Sequence, residues 1–280
     1  MSGQKREKSS RLRRWLVQVC VPLFTMLIYG LPVLVVTLPT RKLDGGWLAA
    51  WLMLAPITFS LVFVLVAGLL SWPYQHLVVE GRFPRDLGTR LYAGRRLYGL
   101  CWTAVYYCKP VYFICLTISP LKTLMFRLFG YRGSMDFTVY PDTWIRDLPL
   151  LDFGPGTYVA NRATLGTNLV MQNGDIVVGA IRTGENCMVG HLTMVAAGTR
   201  LGKHVNLGSG CGVGVNVDLQ DNVVVGDVSV INHFAVVGAG ATIGSRSYVG
   251  HRCRIPAGAS IEPVARIMRE NIPVKKESPE

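Results

Sequence analysis

An aliphatic residue recurs at every sixth position through the C-terminal half of the chain, and this period constrains the fold more than any other feature. From Val189 to Ile261 all thirteen such positions carry Val, Leu or Ile. Glycine follows eight of them, and a small or β-branched residue stands four positions after the aliphatic one. A fixed short period of this kind is the signature of a repeat architecture in which neighbouring units stack.

The hexad predicts a triangular parallel β-solenoid. Each hexad would form one short strand and one corner, with the aliphatic and the small residue pointing inward. The glycine after the aliphatic is expected to supply the backbone dihedral angles of the corner without a Cβ clash. Three hexads would close one coil, and coils would stack about 4.8 Å apart. Residues 146–262 are therefore predicted to form about six coils.

Two uncharged segments in the N-terminal half predict a transmembrane helical hairpin over residues 15–72. Trp15–Leu38 and Trp47–Trp72 contain no charged side chain, and each is long enough to cross about 30 Å of hydrocarbon as a helix. A basic arm, residues 1–14, precedes the first segment, and five arginines between positions 82 and 96 follow the second. The positive-inside rule then predicts an inner-membrane protein whose C-terminal domain faces the cytoplasm.

Residues 73–145 are interpreted as juxtamembrane amphipathic helices, and residues 263–280 as a C-terminal tail. Leu97–Leu116 is apolar and aromatic but is interrupted by a Lys-Pro pair, and the next segment places Leu and Phe between Lys122 and Arg127. This pattern suits helices that lie in the membrane interface. A third or fourth true span is the alternative.

The charge and cysteine patterns exclude two further classes of function. Residues 1–149 carry 18 of the 29 basic residues but only 7 of the 17 acidic ones. Because this excess lies beside apolar segments, it indicates membrane orientation, and no nucleic-acid partner is expected. The seven cysteines include no CxxC pair and no Cys/His zinc spacing, so no metal is expected.

The repeated [Leu/Ile/Val]-Gly-x-x-small-x unit resembles that of the left-handed β-helix acyltransferases of the hexapeptide-repeat superfamily. The resemblance implies a left-handed solenoid, a homotrimer with sites between subunits, and acyl-CoA or a phosphopantetheinyl carrier as the acyl donor. It also implies a histidine that removes a proton from the attacking hydroxyl or amine. An imidazole suits this role because its pKa lies near the working pH.

His233 and His251 are the first candidates for this base. Both stand two residues after an aliphatic position, which points outward, and their separation of 18 residues predicts that they stack on one face about 5 Å apart. The segment Ile231–Gly238 is similar to the catalytic hexad of sugar-nucleotide acyltransferases, which implies His233 as the base. Asn232 beside it is a candidate substrate-binding residue.

His191 is the second candidate. It shares the outward hexad position but lies seven hexads before His233, and therefore on a different face. It borders the irregular segment 167–180, which is expected to overhang a pocket. The alternative for all three histidines is a solvated or trimer-packing side chain without a catalytic role.

The layout of the whole chain is similar to the membrane-embedded C-terminal modules of ε-poly-L-lysine-type non-ribosomal peptide synthetases. The resemblance is specific mainly over residues 147–210. It implies a histidine shortly after a Thr-Leu-x-Thr stretch, but here Thr164–Thr167 is followed by Asn168. Asn168 is therefore a candidate for binding a polar substrate group, and the departure puts the activity of this copy in doubt.

The sequence predicts a membrane-anchored transferase that moves an acyl or aminoacyl group from a thioester to an amine or hydroxyl near the bilayer. A non-catalytic trimeric membrane scaffold for a synthetase partner is the alternative. Asn168 favours the scaffold, whereas the outward histidines favour the enzyme. The expected partners are the membrane, two further copies of the chain, and a peptide synthetase or carrier protein.

Overall fold

The computed structural model describes residues 2–268, with side chains from residue 9, and the chain divides into two compact units. The helical unit comprises the chain up to Val79, Phe83–Tyr131 and Arg146–Pro149. The solenoid unit comprises Glu80–Arg82, Arg132–Ile145 and the chain from Leu150 onward. The predicted order of helices followed by a parallel β-solenoid is confirmed.

The described part of the helical unit contains five α-helices. They are α1 (Ser2–Thr40), α2 (Gly45–Ser71), α3 (Arg90–Tyr107), α4 (Lys109–Thr117) and α5 (Ser119–Leu128). Within residues 9–40 and 45–77 the mean hydropathy reaches 2.3 and 2.4, so two helices are long and apolar enough to cross a membrane. Helices α4 and α5 meet at 115°, the geometry of a broken span or a re-entrant loop.

A charged pair is buried in the helical unit. Arg95 of α3 is 2% exposed and Asp147 is fully buried, and an Arg95 Nη donates a hydrogen bond to the Asp147 carboxylate. Beside them, the Tyr98 hydroxyl accepts from the Leu148 N–H (3.1 Å) and donates to the Phe129 carbonyl (3.0 Å). Burial raises the pKa of Tyr98 well above its usual range, so this hydroxyl stays protonated. The pair and Tyr98 fix Arg146–Pro149 against α3.

The solenoid unit contains short strands that recur at regular intervals. They are β1 (Gly81–Pro84), β2 (Phe137–Val139), β3 (Trp144–Ile145), β4 (Leu151–Asp152), β5 (Thr157–Val159), β6 (Thr164–Gly166), β7 (Asn168–Val170), β8 (Asp175–Val178), β9 (Ile181–Thr183), β10 (Met188–Val189), β11 (Met194–Ala196), β12 (Arg200–Leu201), β13 (Asn206–Leu207), β14 (Gly212–Val213), β15 (Asp218–Leu219), β16 (Val224–Val225), β17 (Val230–Ile231), β18 (Val236–Val237), β19 (Thr242–Ile243), β20 (Tyr248–Val249), β21 (Arg254–Ile255), β22 (Ser260–Ile261) and β23 (Arg266–Ile267).

These strands form three parallel sheets, which are the three faces of the solenoid. Face 1 is β2-β5-β10-β13-β16-β19-β22, face 2 is β3-β6-β11-β14-β17-β20-β23, and face 3 is β4-β9-β12-β15-β18-β21. The chain passes from face 1 to face 2 at corner 1, from face 2 to face 3 at corner 2, and from face 3 back to face 1 at corner 3. Paired residues such as Met188 and Asn206 are 18 positions apart, which confirms three hexads in each coil.

The solenoid has about seven turns where the repeat predicts about six. Its first coil is built from β2, β3 and β4, and these strands begin at Phe137, inside the segment interpreted as amphipathic helix. The first coil lacks the aliphatic-Gly hexad, so the period does not reveal it. At the other end β23 continues face 2 to Ile267, beyond the predicted boundary at residue 262.

A hairpin leaves the solenoid at corner 2. Strands β7 and β8 pair antiparallel, and β1 adds to the edge of β8. Arg82 bonds Asp175 (2.8 Å), while the Glu80 carboxylate accepts from the Ala180 N–H (3.0 Å) and pairs with Arg182 (2.8 Å). The Ala180 N–H, followed by Arg182, lowers the pKa of Glu80. The predicted irregular loop is thus an ordered hairpin.

The glycines after the aliphatic positions serve a different purpose from the expected one. The thirteen residues with a left-handed φ in residues 189–264 lie three positions after the aliphatic one, as at Leu192 (58°) and Gly210 (68°). The glycine directly after the aliphatic has an ordinary φ, but a Cβ at Gly238 would lie 2.7 Å from Ala257 Cα in the next coil. Glycine is therefore required there by the close stacking of corners.

We predict that Gly238→Ala lowers the free energy of unfolding by about 1–3 kcal/mol, the usual cost of forcing a methyl group into packed backbone. Gly212→Ala is the matched control, because its Cβ would meet only the Val230 side chain at 3.7 Å. It should change stability by less than about 0.5 kcal/mol. Denaturant unfolding compares the two variants, and equal effects would contradict this role of the glycine.

The small residues four positions after each aliphatic point inward, as predicted, and link successive coils. Thr193, Ser229 and Ser247 are at most 2% exposed. The Thr193 hydroxyl donates to the Gly208 carbonyl (2.6 Å) and accepts from the Cys211 N–H (3.1 Å). The other two hydroxyls form the same pair of bonds to the next coil. These buried hydroxyls are therefore satisfied, as a stable interior requires.

Candidate functional site

An open cleft of about 620 Å³ lies along face 1 and corner 1 of the solenoid. Tyr140 and Tyr158 form one wall: their rings meet edge to face at 5.8 Å, and the Tyr158 hydroxyl donates to that of Tyr140 (3.1 Å). This hydrogen bond raises the pKa of Tyr158, so the Tyr158 phenol stays neutral. The cleft therefore combines an aromatic wall with the polar side chains of the corner.

Corner 1 presents one polar side chain from each of four successive coils. His191, Ser209, Asp227 and Ser245 recur at intervals of 18 residues and line the cleft. The Asp227 Oδ1 accepts from the Ser209 N–H (2.7 Å), which fixes this carboxylate on the corner. Asp227 is the one side chain in the cleft lining that carries a formal charge. The lining itself therefore contributes one formal negative charge.

Two polar groups of the cleft lining form no hydrogen bond within the described residues. The His191 imidazole is exposed and forms no hydrogen bond to any residue that the structure describes. The Asn206 Oδ1 on β13 is buried and has no hydrogen-bond partner within residues 9–268. Unpaired buried acceptors are uncommon because they lose their water without compensation. A ligand N–H or O–H would satisfy Asn206 beside a free imidazole.

The other two candidate histidines lie on corner 2, one coil apart as predicted. Their rings meet edge to face with centroids 6.4 Å apart. The His233 Nδ1 accepts from the Val215 N–H (2.8 Å), and because a backbone amide is always the donor, the neutral ring must carry its proton on Nε2. Neither nitrogen of His233 is then free to accept a proton. The His251 ring forms no hydrogen bond within the described part of the chain and packs against Phe234 at 5.5 Å.

The two candidate asparagines lie outside the cleft. The Asn232 Nδ2 donates to the Tyr248 hydroxyl (2.7 Å), and its Oδ1 accepts from the His233 N–H (2.7 Å). Asn168 begins β7 of the hairpin, where it is paired with Val178. Since the hairpin leaves at corner 2, it does not border His191 at corner 1. The substrate-binding roles of both asparagines stay predictions.

Tyr158, Asn206 and Asp227 are not among the predicted site residues, although the repeat contains the signal. Tyr158 and Asn206 each precede an inward aliphatic by one residue and so face outward on face 1. Asp227 shares the hexad position of His191 and is 36 residues further on, two full coils. Aligning the chain by coils instead of hexads would have grouped them. Within residues 9–268 no group of three or more His, Cys, Asp or Glu side chains is placed to hold a metal ion.

No protein-family model matches the chain, and no curated protein matches it. Several solved structures do match the chain. A UDP-N-acetylglucosamine acyltransferase from Bacteroides fragilis has 14% identity over 47% of this chain and 67% of that one (TM-score 0.38). Serine acetyltransferase from Neisseria gonorrhoeae in complex with serine has 15% identity over 97% of this chain and 95% of that one, with a TM-score of 0.28. A mutant perosamine N-acetyltransferase from Caulobacter crescentus, in complex with CoA and GDP-perosamine, has 18% identity over 53% of this chain and 60% of that one, with a TM-score of 0.24. Such identities assign no residue of this chain a role.

Proposed function

We propose that the chain is a membrane-anchored acyltransferase, and that the cleft beside His191 is its acceptor site. It would transfer an acyl or aminoacyl group from a thioester, either acyl-CoA or a phosphopantetheinyl carrier, to an amine or hydroxyl. The observation that carries this proposal is the free imidazole of His191 in a cleft that also holds the unpartnered Asn206 Oδ1. His233 and His251 stay predicted bases, but the bond from Val215 to His233 favours His191.

The chemistry needs one proton acceptor beside the nucleophile. His191 would take the proton from the acceptor nitrogen or oxygen as that atom forms a bond to the thioester carbonyl carbon. The carbon–sulfur bond then breaks, the thiolate leaves, and the imidazolium returns the proton to sulfur. The Asn206 Oδ1 would accept a hydrogen bond from the acceptor and hold it in register.

The charge of the cleft favours an amine acceptor over an anionic one. Asp227 is the one charged lining residue, and its Oδ2 has no partner among the described residues. It lies two coils from His191, about 10 Å, so it attracts a cationic acceptor without contacting the reacting nitrogen. The exposed faces of Tyr140 and Tyr158 favour a positive charge in the same way.

Exposed apolar side chains support the membrane anchor. Met26 on α1 is 72% exposed, and on α2 Trp47 is 76% and Met53 81% exposed. Large contiguous apolar surfaces are rare on soluble monomers, whereas lipid tails would cover these side chains. We place the solenoid on the cytoplasmic side because of the flanking arginines. A homotrimer, in which a neighbouring subunit closes the open cleft, and a synthetase or carrier protein partner complete the proposal.

The test is the thermal midpoint of the detergent-solubilised protein with millimolar acetyl-CoA and, separately, acetyl-pantetheine. A ligand at 100 times its Kd stabilises the native state by about 2.7 kcal/mol, which gives a clear upward shift. ATP serves as the control for nucleotide binding without a thioester. If neither thioester raises the midpoint beyond ATP, acyl transfer is contradicted and the non-catalytic trimeric scaffold becomes the better interpretation.

A further inference from the structure

The solenoid changes charge along its length. Residues 150–228 contain four basic and six acidic side chains, whereas residues 229–268 contain four arginines and one glutamate. Apart from Tyr140 and Ser245, the proposed cleft is lined by residues of the first part, and none of these arginines lines it. The last coils therefore present a positive surface to which the proposed acyl transfer assigns no role.

Three of the arginines lie at corner 2 or on the strands that flank it. Arg252 lies at the corner itself, Arg254 begins β21 on face 3, and Arg266 begins β23 on face 2. Faces 2 and 3 meet at this corner. The three residues, with His233 and His251, are called the basic corner below. None of the three guanidinium groups has a carboxylate partner within residues 9–268.

Aromatic rings hold two of these guanidinium groups in place. The Arg252 guanidinium lies 5.5 Å from the Phe234 ring, and that of Arg266 lies 5.9 Å from the Tyr248 ring. Both contacts join successive coils of the solenoid. A guanidinium held against a ring leaves its N–H donors free at the edges. The rings thus orient these arginines without neutralising them, and no carboxylate of residues 9–268 neutralises them.

His233 adds a donor to the same surface. Because its Nδ1 accepts from the Val215 N–H, the Nε2 carries the proton and can only donate. The His233 Nε2–H has no partner among the residues that the structure describes. A group locked as a donor is unsuited to remove a proton but suited to bind an oxyanion. The adjacent His251 is likewise exposed.

We infer that the basic corner binds a phosphate-bearing anion. Several positive groups without carboxylates repel one another unless an anion lies between them, and the planar fork of N–H donors on arginine matches the oxygen atoms of phosphate. Two sources share this chemistry, namely the nucleotide portion of a soluble ligand and the headgroup of an anionic lipid. The nucleotide source rests on the proposed function, because acyl-CoA carries such a nucleotide, whereas the lipid source is independent of it.

The experiment titrates the full-length, detergent-solubilised protein with adenosine 3′,5′-bisphosphate in one arm and short-chain phosphatidic acid in the other. Calorimetry at two salt concentrations gives the Kd. We expect binding in at least one arm, weakened by salt and weakened at least tenfold in Arg252→Gln and Arg254→Gln. Arg200→Gln is the matched control, since Arg200 is an exposed face 3 arginine and should bind like the unaltered protein.

The arm that shows binding identifies the source of the phosphate. Unaltered thermal midpoints without ligand would establish that the variants fold. The inference is overturned if neither ligand binds, or if Arg200→Gln weakens binding as much as Arg252→Gln. Because no thioester is present in either arm, this result is separate from the success or failure of acyl transfer.

Discussion

Replacing His191 by asparagine should lower the rate of acyl transfer by about 10²–10⁴, the usual contribution of a general base. The substitution keeps a polar side chain at an exposed corner position, so the thermal midpoint should not change. The measurement is thiol release from acetyl-CoA in the presence of a panel of primary amines.

Three further histidines act as controls for this experiment. His233→Asn should retain most of the rate because the His233 Nδ1 is already occupied by the Val215 N–H. His251→Asn tests the second histidine of the basic corner. His204→Asn tests an exposed histidine at corner 3. The assignment is wrong if His191→Asn keeps more than about a third of the rate, or if His233→Asn alone abolishes it.

Removing either partner of the Arg95–Asp147 pair should be among the most damaging single changes in the chain. Arg95→Met removes the hydrogen bond to the buried Asp147 carboxylate and leaves the Arg146 Nε, 3.6 Å from Oδ1, as its cationic neighbour, and breaking a buried pair in this way costs about 3–5 kcal/mol. Asp147→Leu removes the carboxylate that the Arg95 guanidinium bonds, and Arg95 is itself only 2% exposed. Each variant should lower the thermal midpoint by roughly 10 °C.

The double variant Arg95→Met/Asp147→Leu distinguishes a lost pair from a general packing defect. Because it removes both charges, its stability should recover to within about 1–2 kcal/mol of the unaltered protein. Tyr98→Phe is a milder comparison, since it removes the hydroxyl bonds to Leu148 and Phe129 but no charge. Additive losses in the double variant would show that the pair is not coupled.

The fold was predictable where the sequence repeats and was missed where it does not. The inward position of Val189 and its equivalents follows from the hexad alone. The first coil was missed because Val139 and Ile145 keep the inward aliphatic position but are followed by Tyr140 and Arg146 instead of glycine. The role of glycine was misread because the hexad shows that Gly238 is required but not why; only the position of the next coil reveals the close contact.

The candidate site was less predictable, because it depends on contacts between coils. The hexad position places His191 and His233 on the outer surface equally well. Their different chemistry follows from what lies one coil earlier or later: the Val215 N–H occupies His233, whereas His191 opens onto the cleft with Asn206. A local sequence motif does not include a neighbour that lies 18 residues away.

The three-sided coil also restricts how the chain can change length during evolution. Deleting one hexad from the middle of the solenoid would turn every later coil by one face, and would carry the arginines of the basic corner onto the side of His191 and Asp227. Only whole coils of 18 residues can be lost or gained without this rotation. The hairpin shows the other solution: Leu165 and Val195 are paired although 30 residues apart, because the twelve extra residues leave and return at the same corner.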